Sequence, residues 1–193
     1  GIDLIPNPGV PVILVPTTAG TGSEVTPIAI LSDTREKLKK GIVSSHLLPK
    51  SALLDPKLTI GLPPAVTAFT GMDAMIHAIE AYTSVNANGL TDHLAFRAME
   101  LTSGNILTAY ARGDDLNARS KMLEGSLLAG MAFANAGVTA VHAFAYPLGG
   151  EFHHIPHGLA NSVMLPHVLR FNMLGNIPKF ADVASALGVA AGE

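Results

Sequence analysis

From residue 65 onward, apolar residues recur every three or four positions with few breaks. The pattern holds over 65–82, 91–110, 116–134 and 138–146. It commits most of the chain to packed helices. A further helix is expected at 157–171, kinked at Pro166, and a last one at 178–187, with Pro178 near its start and Gly188 at its stop. Before residue 62 the character differs. Residues 9–16, Gly-Val-Pro-Val-Ile-Leu-Val-Pro, read as a buried strand bounded by prolines. Residues 25–31 and 40–44 read as strands around the charged turn Asp33-Thr34-Arg35-Glu36-Lys37, either a hairpin or two edge strands. A short apolar run at 51–54 is ended by Asp55-Pro56. The expected fold class is an α/β strand-and-loop portion over 1–61 followed by an all-α helical domain over 62–193, with no repeat and no flexible linker between them.

Composition narrows the functions. A net charge of −3 leaves no basic footprint for nucleic acid. The absence of cysteine removes disulfides, thiolate nucleophiles and thiolate metal ligands. Residues 125–150 lack Asp, Glu, Lys and Arg over a length that could span a bilayer. Asn135, Gly137, His142 and Pro147 interrupt the run, and two buried helices with a turn at 135–137 account for it better. The first residues, Gly-Ile-Asp-Leu-Ile-Pro, read as mid-chain sequence without a signal peptide, so the expectation is a cytoplasmic protein with no membrane partner.

The chemistry-bearing residues gather in three places. Asp73 and His77 stand at i and i+4 on a helix, close enough to grip one small object. His142 and Tyr146 repeat that spacing on another helix, which Pro147-Leu148-Gly149-Gly150 is expected to end. His153 and His154 occupy the next loop, and His157 opens a helix, where the dipole disfavours imidazolium and keeps a lone pair available. One Asp and three His suit Fe(II) or Zn(II) and leave room for a substrate oxygen. Spacing alone weighs this equally against four separate, hydrogen-bonded core residues. His46, His93 and His167 are assigned to the core reading. Thr17-Thr18-Ala19-Gly20-Thr21-Gly22-Ser23-Glu24 follows a strand and is either an ordinary polar turn or a loop that brings backbone N–H groups to a ligand. Lys39 and Lys40 read as a solvated strand edge.

Taken together, three stretches resemble the iron-containing (group III) alcohol dehydrogenases: Pro16 through Thr26, Gly71 through Tyr82, and Pro156-His157-Gly158-Leu159-Ala160-Asn161. Leu54-Asp55-Pro56 and Gly130 through Gly137 match less distinctively. The resemblance implies a dehydroquinate synthase-like architecture: an α/β nucleotide-binding domain, represented here by its C-terminal remainder, and a helical metal domain. It implies metal-assisted hydride transfer between a small alcohol or aldehyde and NAD or NADP. It assigns Asp73, His77, His142 and His157 to Fe(2+), with Zn(2+) tolerated by the same set. Thr17, Thr18, Gly20, Thr21 and Lys39 are assigned to the cofactor, and Phe133 to the substrate pocket. A homo-oligomer is compatible with it.

The sequence departs from the family pattern in two ways. Tyr146 stands where many members carry a relay histidine, and a phenol with an ordinary pKa of about 10 is a poorer relay. His153 or His154 is the expected substitute. The family's pyrophosphate loop lies upstream of the motif at Pro16, so the chain reads as an internal portion of a protein about twice as long. Two other functions remain: a metal-binding helical module without redox activity, and a metal-dependent hydrolase. The hydrolase leaves the 17–24 loop without a purpose.

Overall fold

The computed structural model describes residues 2–33, 35–36, 38–152 and 154–189. Among these residues four short strands precede six α-helices: β1 (Ile13–Leu14), β2 (Ile28–Asp33), β3 (Leu38–Val43), β4 (Ser51–Ala52), then α1 (Pro64–Thr83), α2 (Gly89–Ala111), α3 (Leu116–Ala136), α4 (Ala140–Glu151), α5 (His157–Asn172) and α6 (Ile177–Ala186). β2 and β3 pair antiparallel from Ile28↔Val43 to Asp33↔Leu38, which resolves the two expectations in favour of the hairpin. Lys40 lies on its edge, bonded to Asp33 at 2.7 Å and Glu36 at 2.8 Å.

The expected strand at 9–16 is corrected. Among the described residues only Ile13–Leu14 of this run pairs, in parallel with Ser51–Ala52, and the run is open: Val10 and Ile13 are 81% and 65% exposed. Apolar composition alone could not tell a strand with both neighbours from one with a single two-residue partner. Pro147 does not end α4. The proline has no N–H to bond the Ala143 carbonyl, but the ladder resumes beyond it, with Phe152 N–H donating to Leu148 O at 2.8 Å. The uncharged stretch forms two helices bent by 102°, and among the described residues no single helix is long and apolar enough to cross a membrane.

α1 is the central helix. Every residue from Asp73 to Tyr82 is buried, so it carries no solvent face in that stretch. Its Ala78 and Ala81 let α2 and α3 approach closely, and Ala95, Ala98, Ala129 and Ala132 answer from those helices. Each partner starts on a capped turn: Asn88 and Thr91 form a capping box for α2, and Asp115 accepts from Ala118 N–H for α3. Gly137, at φ 79°, ends α3 and turns the chain toward α4.

α6 is fastened to this core by polar bonds. Lys179 donates to Tyr82 O at 2.6 Å and to Asp92 at 2.8 Å, while Tyr82 Oη donates to Asp182 at 2.8 Å. Burial, then Asp182, pushes the Tyr82 phenol up to about 12. The folded chain therefore holds it neutral where the unfolded chain ionises. This part of the stability is constant below pH 10 and falls as pH rises from 10 toward 12. Tyr82→Phe is expected to cost about 1 kcal/mol at neutral pH and to reduce that alkaline loss, as read from denaturant melts across the range.

Candidate metal centre

The middle of α1 presents Asp73 and His77 on one face, and α4 and α5 bring histidines against them. Asp73, His77 and His142 each offer a ligand atom within 4.8 Å of the others. His142 Nε2 lies 3.6 Å and His157 Nε2 3.9 Å from Asp73 Oδ1. An ion with donors at about 2.1 Å in tetrahedral array holds them about 3.4 Å apart, so the cluster fits a divalent ion after small adjustments. Asp73, His77 and His142 are buried, and His157 is partly open.

Partners behind the imidazoles fix their tautomers. His77 Nδ1 donates to the Gly20 carbonyl at 3.2 Å, which can only accept, so the lone pair is on Nε2. His142 Nδ1 donates to Glu80. Glu80 is itself fully engaged, accepting from Thr139 N–H at 3.1 Å, Thr139 Oγ1 at 2.6 Å and Val141 N–H at 2.8 Å. The His77 ring is stacked between Phe133, at 4.3 Å, and His142, at 4.4 Å.

The charges follow from this geometry. Burial alone would raise Asp73, but His77, then His142 and His157, outweigh it and hold the carboxyl at about 2. Burial pushes His77 down to about 4 against the pull of Asp73, so this ring stays neutral. Burial works against the charge on His142 too, yet Asp73 and Glu80 raise it to about 9. A cation at Nε2 would take the place of that proton.

His157 is the first residue of α5, and its arrival depends on Gly158. A Cβ at position 158 would stand 1.9 Å from the Phe69 carbonyl oxygen, so only glycine lets the start of α5 lie on α1. A second close approach docks the 17–24 loop. Gly22, at φ 59°, meets Gly130 of α3, where an added Cβ would fall 2.6 Å from Gly130 Cα.

All four residues line one cavity of about 500 Å³, with Phe133 and Tyr146 from the helices and Thr21, Ser23, Ile28 and Ile30 from the loop and hairpin. The Tyr146 ring stacks on His157 at 5.8 Å, and burial, then Asp73 and Glu80, raises its phenol. Of the expected cofactor residues, Thr21 lines the cavity, whereas Gly20 reaches His77 through its carbonyl. Thr17 and Thr18 are not in the lining, and the Lys39 side chain lies outside the described atoms. His154 is exposed and edge-on to Phe152, away from the cavity, and His153 lies outside the described residues. The core reading of His46, His93 and His167 is corrected, since all three are on the surface. Glu80 and Asn161 are functional residues absent from the sequence-based expectations. The available signal was position: Glu80 follows His77 by three residues and Asn161 follows His157 by four, on the ligand faces of their helices.

Two family descriptions match the chain: "Iron-containing alcohol dehydrogenase" over residues 2–56 and "Fe-containing alcohol dehydrogenase family, C-terminal" over 67–193. The chain belongs to the iron-containing alcohol dehydrogenase family. It is 50% identical over 188 residues to 1,3-propanediol dehydrogenase of Klebsiella pneumoniae, covering 97% of this chain and 48% of that protein. Identity to long-chain-alcohol dehydrogenase 1 of Geobacillus thermodenitrificans is also 50%, over 97% of this chain and 47% of the relative. A crystal structure of 1,3-propanediol oxidoreductase superposes with a TM-score of 0.95 at 49% identity, covering 100% of this chain and 50% of the other. The chain thus spans about half the length of the relatives it matches.

Because Phe69 O is backbone, Gly158→Ala has no cheap relief. It is expected to destabilise the chain by about 1–3 kcal/mol in denaturant melts and to move His157 out of the cluster.

Proposed function

We propose that this chain is the metal-binding catalytic portion of a nicotinamide-dependent oxidoreductase acting on a small alcohol or aldehyde. The observation that carries the reading is the convergence of Asp73, His77, His142 and His157 on a cavity that also receives Thr21 and Phe133. In this reading, residues 62–193 are the helical metal domain, and 1–61 are the part of an α/β cofactor domain that faces it. Iron(II) is the expected ion, and the thiolate-free donor set also accommodates zinc.

When bound, the ion supplies a Lewis acid for the reacting oxygen and the nicotinamide exchanges the hydride. The chain supplies the rest. Glu80 and the Gly20 carbonyl keep protons on Nδ1 of His142 and His77, so their Nε2 atoms face the seat of the ion. Phe133 gives the substrate an apolar wall beside His77 and excludes water there. Tyr146, whose phenol burial and then Asp73 and Glu80 raise, stays neutral at neutral pH, so it can serve there as a donor and not as a base. Thr21 lines the cavity, and it is assigned to the cofactor by resemblance, as are Thr17, Thr18, Gly20 and Lys39.

Purification without oxygen and elemental analysis should find about one divalent ion per chain, lost in Asp73→Ala, and NADH fluorescence should change on binding. Stoichiometric metal without NADH binding would leave a metal-binding helical module, and no bound metal would overturn the reading. A screen of short alcohols and diols with both cofactors would then define the substrate. Glu80→Gln is expected to weaken zinc binding about 10–100-fold in chelator competition. Its amide would present either N–H or carbonyl oxygen, and not a carboxylate, to His142 Nδ1.

A further inference from the structure

Asn161 lies on α5, one turn beyond His157, and has no exposed surface. A carboxamide cut off from water needs hydrogen-bond partners at both ends. Its nitrogen has a firm acceptor and two ring nitrogens close by. Nδ2 donates to Asp73 Oδ1 at 2.7 Å and stands 3.1 Å from His142 Nε2 and 3.2 Å from His157 Nε2. Its buried oxygen has none.

The orientation is dictated by Asp73. A carboxylate only accepts, so turning the amide to serve Oδ1 elsewhere would set two oxygens 2.7 Å apart. The side chain therefore keeps its donor end on the cluster and leaves its acceptor end unsatisfied. A residue that merely filled this space would be apolar, because an aliphatic side chain leaves no orphaned polar atom.

We propose that Asn161 is a positioning residue of the metal centre. Its amide nitrogen, in contact with three of the four donor groups at once, aims Asp73 and sets the spacing of the two imidazoles before an ion arrives. The inference rests on the metal-centre reading above. Of these neighbours only Asp73 Oδ1 is bound to accept, so the amide locks neither ring nitrogen, and both stay exchangeable for a cation. Placing the residue one turn after His157 couples its aim to the helix that delivers that ligand.

The test compares the unaltered chain with Asn161→Ala and the near-isosteric Asn161→Leu, using Co(2+) alone as the probe. Chelator competition gives the dissociation constant, stopped-flow transfer to chelator gives the release rate, and the visible d–d bands report ligand geometry. Both variants are expected to bind Co(2+) at least about tenfold more weakly, to release it faster and to show altered bands. Circular dichroism should find the metal-free Leu variant folded, and that variant decides the matter should the Ala variant unfold. A residue with a purely structural role would leave the bands of a folded variant unchanged. Binding within about twofold of the unaltered chain, with unchanged bands, would overturn the role of Asn161 while leaving the metal centre intact. Failure of the unaltered chain to bind Co(2+) would instead remove the metal-centre reading, and this inference with it.

Discussion

The helical part of this chain is arranged around the need to satisfy one buried carboxylate. Glu80 sits on the central helix without access to water, a position that is very costly for a charge unless it is fully bonded. Its partners are the backbone and hydroxyl of Thr139, the backbone of Val141 and the ring of His142. Three of these bonds come from the start of α4, a helix whose own N-cap side chain makes no capping bond. Glu80 thus caps a neighbouring helix across the core, and the same carboxylate fixes the tautomer of the histidine that helix carries. Fold and site share one set of bonds.

Close backbone approaches deliver the remaining groups. Gly158 lets α5 lie against Phe69, and Gly22 against Gly130 seats the hydroxyl-rich loop on α3. Gly20 is similarly confined, with an added Cβ falling 2.8 Å from Thr70 Cβ, and its carbonyl holds His77. The loop that the resemblance assigns to the cofactor therefore contacts the cluster from behind a ring, with its hydroxyls arranged alongside.

How much of this was legible depends on the range of the force involved. Helices were readable because their apolar spacing repeats locally, and the Asp73–His77 pair was readable for the same reason. The run at 9–16 is not legible in this way, because its burial depends on which segments lie beside it, and the local sequence carries no record of that. The α4 boundary was misplaced because Pro147 removes one bond without preventing the next. General frequency favours the core for a histidine such as His93, whereas His93 is exposed and bonds its own helix at Gly89 O. Glu80 and Asn161 were hidden for another reason. Each acts through a partner about sixty or ninety residues away, as Glu80 with His142 and Asn161 with Asp73 do, and no window along the chain includes both.

The unequal exposure of the four donors gives the cluster a direction. Asp73, His77 and His142 are almost sealed, walled by Phe133, Glu80 and Asn161, while the His157 side chain is 30% exposed under Tyr146. Of the four donors the imidazole of His157 meets solvent most, so its side of the cluster is the side on which small molecules first make contact.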